Sequence, residues 1–292
     1  MSHFLEVCEE LLGLYRERAL SPEFWAEPLN ALTNASFLIA AVFAWDLADR
    51  RRAATRTTIA LLLLAGLIGF GSFFFHTVPN HFTMWLDIVP IALFQILFLW
   101  LVSNKMIALS RLASTAIVVG AVGASFALFP LHEPLNGSLF YLPSLLAMLT
   151  IGVVWAKKSS REPYLLVGAA CCFLFAVTAR SLDHEVLWRF GTHFLWHVLN
   201  GVVVYMALRA WIVFVATNQK MEILATTLED LRAKSIGRVP RGPQPRKASR
   251  TYYRPITLAK WIIHGACQLG RGNSNVEIGF SIYRRTDGEA GE

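Results

Sequence analysis

Three histidines, a serine and an aspartate carry the chemistry open to this chain. His193 and His197 are four residues apart, so on a helix they share a face one turn apart. Two histidines at that spacing form a helical clamp for a metal ion. Ser72 and His76 repeat the spacing in an earlier segment, and Asp87 follows in the stretch Phe82-Thr83-Met84-Trp85-Leu86-Asp87. A third histidine brought to the His193/His197 pair makes three nitrogen ligands and leaves a fourth position for water, as in catalytic zinc sites. Zinc so held lowers the pKa of water to about 7. Asp87 is then placed to move a proton, and Ser72 to donate a hydrogen bond to a developing oxyanion. Without a base beside Ser72, a serine-nucleophile hydrolase is the weaker reading. His81, His132 and His184 read as loop histidines, solvated or interfacial, with His81 the rival third ligand.

The elements that must position these residues are membrane spans. Of 292 residues, 55% are hydrophobic and 16% charged, whereas soluble domains carry about 45–50% apolar and about 25% charged residues. That excludes an ordinary soluble enzyme, and disorder for most of the chain. A spanning helix needs about 20 mostly apolar residues, and seven segments qualify: roughly 29–48, 58–78, 82–102, 112–130, 138–156, 163–180 and 190–216. The fold class expected is all-α, a polytopic integral membrane protein of seven transmembrane helices. The first thirty residues read as an acidic, amphipathic segment rather than a signal peptide. Four scattered cysteines (Cys8, Cys171, Cys172, Cys267) make no disulfide framework. Cys171 and Cys172 read as packing residues.

Loop charge gives the orientation. The first loop carries Arg50, Arg51, Arg52 and Arg56, the third Lys105 and Arg111, and the fifth Lys157, Lys158 and Arg161. The second and fourth loops hold no Lys or Arg, and in the sixth Arg180 and Arg189 are offset by Asp183 and Glu185. The positive-inside rule places the odd loops and the C-terminus in the cytoplasm and the N-terminus outside. Trp25, Trp85, Trp155 and Trp188 fall near span ends, as interfacial tryptophans do. In this topology Ser72 and His76 at the end of span two, Asp87 at the start of span three, and His193 and His197 at the start of span seven share one depth on the outer side. Polar side chains within spans are costly and mark functional sites.

These residues resemble the alkaline ceramidase family, part of a wider superfamily of seven-span membrane hydrolases that includes the adiponectin-receptor-like and Per1-like proteins. The two histidine motifs, Ser72-x-x-x-His76 and His193-x-x-x-His197, are shared across the superfamily. The stretch Trp25-Ala26-Glu27-Pro28-Leu29-Asn30-Ala31-Leu32-Thr33-Asn34 resembles the ceramidase N-terminal signature. Asp183 with Gly191-Thr192-His193-Phe194-Leu195-Trp196-His197-Val198-Leu199-Asn200 resembles its bacterial branch. The likeness covers about residues 14–216. It implies zinc held by His76, His193 and His197, with Ser72 and Asp87 as catalytic residues. It implies hydrolysis of the N-acyl bond of ceramide-like lipids to a sphingoid base and a fatty acid, in a cavity open sideways to the bilayer. It also implies a calcium site, for which Glu27 and Glu17 are candidates. The segment ahead of Glu27 departs from the family pattern, with Leu14, Arg16 and Ala19 where Asp, Cys and Asn are usual. Asn30 and Asn34, on one face of span one, either support that site or bond between helices.

The domain plan is an acidic extracytoplasmic segment (1–28), a seven-span domain (29–216) and a basic, largely disordered cytoplasmic tail (217–292). Residues 218–292 hold 13 Lys/Arg against 7 Asp/Glu, so the chain's net charge of +7 describes mainly the tail. Such a tail faces anionic lipid, and no motif supports nucleic-acid binding. Residues 218–235 suit a polar continuation of span seven. Gly237–Arg254 reads as disordered, and Trp261-Ile262-Ile263 suits the membrane surface. Two competing functions stand beside the ceramide amidase. One is a zinc hydrolase of another lipid ester or amide. The other is a non-enzymatic lipid-binding receptor with structural zinc, which would call for four protein ligands.

Overall fold

The computed structural model describes residues 12–131 and 134–235, without the side chains of Pro134 and of residues 233–235. His132, Cys8, Cys267, Gly237–Arg254 and Trp261–Ile263 lie outside the described residues. Among the described residues the chain is helical throughout, with no strand.

Helix α1 (Pro28–Thr33) begins on a proline, whose missing N–H costs nothing in a first turn. It passes through Asn34 into α2 (Ala35–Arg50). Helix α3 (Arg56–Thr77) starts where the Thr55 side chain accepts the Thr58 N–H. Helix α4 (His81–Leu101) opens with a capping box between Asn80 and Thr83, which fixes where the helix begins and hence the depth of Asp87. It runs on into a π-helical turn, Val102–Met106. Helix α5 (Arg111–Leu128) is capped by Ser110. A 3-10 segment, Pro134–Tyr141, leads to α6 (Leu142–Lys158), followed by α7 (Leu165–Ser181) and the 43-residue α8 (His193–Ser235).

Among the described residues, six helical stretches are long and apolar enough to cross a bilayer: Pro28–Arg50, Arg56–Thr77, His81–Met106, Arg111–Leu128, Leu135–Lys158 and His193–Arg232. This is a polytopic helical membrane protein. The sixth expected span coincides with α7, which is apolar but only 17 residues long, short of the usual 20 or so. The seventh continues beyond 216 as the polar helix expected over 218–235: α8 runs unbroken to Ser235.

Helix α8 is the hub, packing against α2, α3 and α7, while α4 lies along α3. The interior is built from Ala44, Ala48, Leu61, Ala65, Leu208 and Ile212, all fully buried. Its small residues let helix backbones approach, the usual basis of packing where lipid removes the hydrophobic drive between helices. Large apolar side chains such as Phe43, Leu63, Leu67, Phe70 and Phe175 point outward, as lipid-facing surfaces require.

Two glycines set the closest approaches. A Cβ at Gly71 would collide with the Leu86 carbonyl of α4, and one at Gly201 with Ser36 of α2. The Ser36 hydroxyl uses that proximity to donate to the His197 carbonyl at 2.8 Å.

Candidate metal centre

His76 ends the buried stripe of α3, and His193 and His197 occupy the first two turns of α8. All three are at most 2% exposed. One ligand nitrogen from each lies within 4.8 Å of the others, and among the described residues this is the one His/Cys/Asp/Glu group placed to hold a metal. The ring centroids are 4.6 to 5.3 Å apart.

The hydrogen bonds around the rings assign their tautomers. His76 Nδ1 lies 2.6 Å from Glu27 Oε2, and a carboxylate there selects the Nδ1–H form. His76 Nε2 is then left with a lone pair, and it is buried without a partner. The Thr33 hydroxyl donates to the Leu29 carbonyl at 2.6 Å, so at 3.1 Å from His197 it accepts that ring's Nδ1–H and frees Nε2. His193 Nδ1 is also buried and unpartnered. Buried polar nitrogens are almost always bonded. Two orphans facing a third histidine fit a metal ion, and second partners such as Glu27 and Thr33 are what metal-bound histidines carry.

Ser72 and Asp87 complete the group. Gly71, pressed on the Leu86 carbonyl, brings the next residue of each helix together, so that the Ser72 side chain lies beside the Asp87 carboxylate. Asp87 Oδ1 is buried with no partner. All five residues singled out by their spacing thus converge.

The first turn of α8 is held by Asp183. Its Oδ1 accepts the N–H groups of Thr192 and His193, each at 2.7 Å, and Oδ2 accepts the Arg16 N–H at 3.0 Å. A carboxylate at a helix N-terminus satisfies orphan donors and complements the dipole. Gly191 permits the turn: its φ is +61° and a Cβ would strike the Asp183 carboxylate. His184 bonds the Leu14 carbonyl at 3.1 Å, and His81 is exposed at the start of α4. Neither joins the cluster.

The two glutamates expected to serve calcium are buried, and both are engaged by the protein. Glu17 accepts the N–H groups of Leu29 and Asn30 at 2.8 Å each, which caps α1. Burial pushes its carboxyl above the usual range against those two bonds. Glu27 accepts Asn30 Nδ2 at 2.9 Å, the Arg18 guanidinium and His76. Burial opposes its charge, but the His76 ring and the bonds from His76, Asn30 and Arg18 together hold it below the usual range. Asn30 and Asn34 bond within this segment, Asn34 to the Asn30 carbonyl.

Residues the spacing did not reveal close the site from above. Tyr15 stacks on His193 at 3.8 Å between centroids. The Arg180 guanidinium lies 5.7 to 5.8 Å over the rings of Tyr15, Tyr141 and Trp196. One helical turn away from the cluster begins an apolar cavity. Ile68 follows from Ser72, Ile91 from Asp87, and Trp196 and Asn200 from His193 and His197. Along α4 and into the π-helical turn it extends from Ile91 to Val102, about 16 Å at 1.5 Å per residue.

A polytopic helical membrane protein with a buried three-histidine centre above an apolar cavity is the class these features define. The family model Ceramidase matches residues 20–228, and the chain belongs to that family. No curated protein and no solved structure gives a significant match.

Proposed function

We propose that this protein is a zinc-dependent membrane amidase that hydrolyses the N-acyl bond of ceramide-like lipids, releasing a sphingoid base and a fatty acid. The observation that carries the reading is the pair of orphaned histidine nitrogens facing a third histidine, beside an unpartnered Asp87 oxygen, in a member of the ceramidase family.

His76, His193 and His197 would hold the zinc, with Glu27 and Thr33 fixing two of the rings. Zinc bound there would polarise the amide carbonyl and acidify water. The remaining work falls to the chain. Asp87 takes a proton from the attacking water and later delivers it to the departing amine nitrogen, so that one water is consumed and an acid and an amine leave. Ser72 donates a hydrogen bond either to Asp87 or to the developing oxyanion, which orients the base and spreads the charge. The cavity below receives one hydrocarbon chain: its walls are Phe37, Phe94, Phe98, Met148 and Val203, with few polar groups. The lipid enters sideways from the bilayer, and the site lies on the extracytoplasmic side.

The experiment is metal content and ceramide hydrolysis measured on the same purified samples of wild type and His193→Ala. The expected result is about one zinc per chain, lost in the variant together with fatty-acid release. Zinc retained by the variant, or equal turnover without it, overturns the mechanism. Zinc without ceramide turnover, beside cleavage of another lipid in a panel, transfers the same chemistry to that substrate.

A further inference from the structure

A second cation stands beside the histidines, and the chain supplies it. Arg18 is among the largest fully buried side chains of the protein. Its Nε donates to Glu27 Oε1 at 2.5 Å, its Nη1 to the carbonyls of Ser21 and Glu23 at 3.0 and 3.1 Å, and its Nη2 to the His76 carbonyl at 2.6 Å. One carboxylate and three backbone carbonyls make an all-oxygen set of the kind a hard divalent ion takes. Here a planar guanidinium takes it, with donors in a fork that matches. The neighbouring Glu17 carboxylate is spent on the Leu29 and Asn30 N–H groups. A calcium ion at Glu27 would have to displace a guanidinium that already neutralises the carboxylate. The residues present do not fit calcium.

The same carboxylate reaches the metal centre. Glu27 Oε2 binds His76 Nδ1 while Oε1 binds Arg18. Arg18 Nη2 also holds the His76 carbonyl. Side chain and backbone of one histidine are therefore both tied, directly or through Glu27, to one buried cation.

We infer that Arg18 is the built-in cation of the N-terminal segment: it stands in place of a calcium ion and, through Glu27, positions His76 for the catalytic metal. The positioning half rests on the zinc reading proposed above; the calcium half does not.

Two measurements on the full-length protein test it. First, the melting midpoint of wild type is compared in calcium-free buffer and with millimolar calcium chloride. No shift is expected, because a ligand stabilises only what it binds. A rise on adding calcium overturns the first half. Second, zinc affinity is measured by competition with a chromophoric chelator for wild type, Arg18→Gln and Arg18→Lys. Loss of a group that orients a metal-bound histidine weakens affinity about 10- to 100-fold, and that is the expectation for Arg18→Gln. Arg18→Lys keeps the charge but not the fork and should recover part of the loss. Should Arg18→Gln fail to fold because it strands the Glu27 charge, the milder Arg18→Lys must still bind zinc more weakly than wild type. A folded variant with a lowered melting midpoint but wild-type zinc affinity overturns the positioning role and leaves a structural clamp. A wild type that takes up no zinc overturns the zinc reading and the positioning half together, while the calcium comparison still decides the first half.

Discussion

At the scale of single residues, the site divides into groups that hold and groups proposed to react. The three histidines are fixed from behind by different means: His76 by Glu27, His197 by Thr33, and His193 by stacking on Tyr15 and by the Asp183 cap at its own backbone. Asp87 and Ser72 are not engaged in holding. Asp87 keeps one oxygen unpartnered, with the Ser72 side chain beside its carboxylate. Two substitutions separate their roles. Asp87→Asn removes the proposed proton carrier and should lower turnover by about 10²- to 10⁴-fold. Ser72→Ala removes one hydrogen bond to the charge that develops and should cost at most about 10²- to 10³-fold. Zinc content should be unchanged in both. Equal zinc with turnover near wild type in Asp87→Asn would remove Asp87 from the reaction, and zinc lost from either would make that residue a ligand.

At the scale of elements, the residues meet because three helix ends are placed by local devices. The Asn80–Thr83 capping box sets the start of α4, Asp183 with Gly191 sets the start of α8, and Gly71 sets how near α4 lies to α3. Gly71→Val therefore tests the site without touching it. The added side chain meets backbone rather than a movable side chain, so the helices must part. The expected result is a loss of about 1–3 kcal/mol of stability and a fall in turnover beyond that explained by unfolding. Gly66→Val is the control, since a Cβ there meets nothing within 4 Å; parity between the two variants would show that the α3–α4 approach does not set the geometry. The contrast also marks what the sequence could show. Helical spacing and loop charge were enough to bring Ser72, His76, Asp87, His193 and His197 together, because i, i+4 periodicity and span direction are one-dimensional properties. Gly66, Gly69 and Gly71 look alike in the same apolar run, and only packing against α4 tells Gly71 apart. Arg18, Tyr15 and Arg180 were not found for a related reason. The first two lie in a segment without periodicity, and all three acquire their partners through long-range contacts. The unbroken course of α8 to Ser235 was legible by contrast, because the polar stretch 218–235 holds no Gly or Pro to end a helix.

At the scale of the whole molecule, the centre must face one side of the membrane, and charge decides which. The end opposite the histidines is bound by its own contacts: Lys158 Nζ donates to the Ile107 carbonyl at 2.7 Å, and Arg209 pairs with Glu162 through both terminal and inner nitrogens. Arg209 lies twelve residues along α8 from His197, about 18 Å at 1.5 Å per residue. The arginines and lysines of the loops after α2, α4 and α6 gather at that far end, where the positive-inside rule puts the cytoplasm. We predict that the histidine end opens outward and draws its substrate from the outer leaflet. The prediction is tested with single cysteines in a background lacking the native four. Glu185→Cys, in the exposed turn before α8, and Ser160→Cys, in the exposed turn before α7, change no Lys or Arg and so leave the orienting charges intact. A membrane-impermeant thiol reagent applied to intact cells should label position 185 at once and position 160 only after lysis. The opposite pattern would place the three histidines on the cytoplasmic side, and with them the leaflet from which the lipid is drawn.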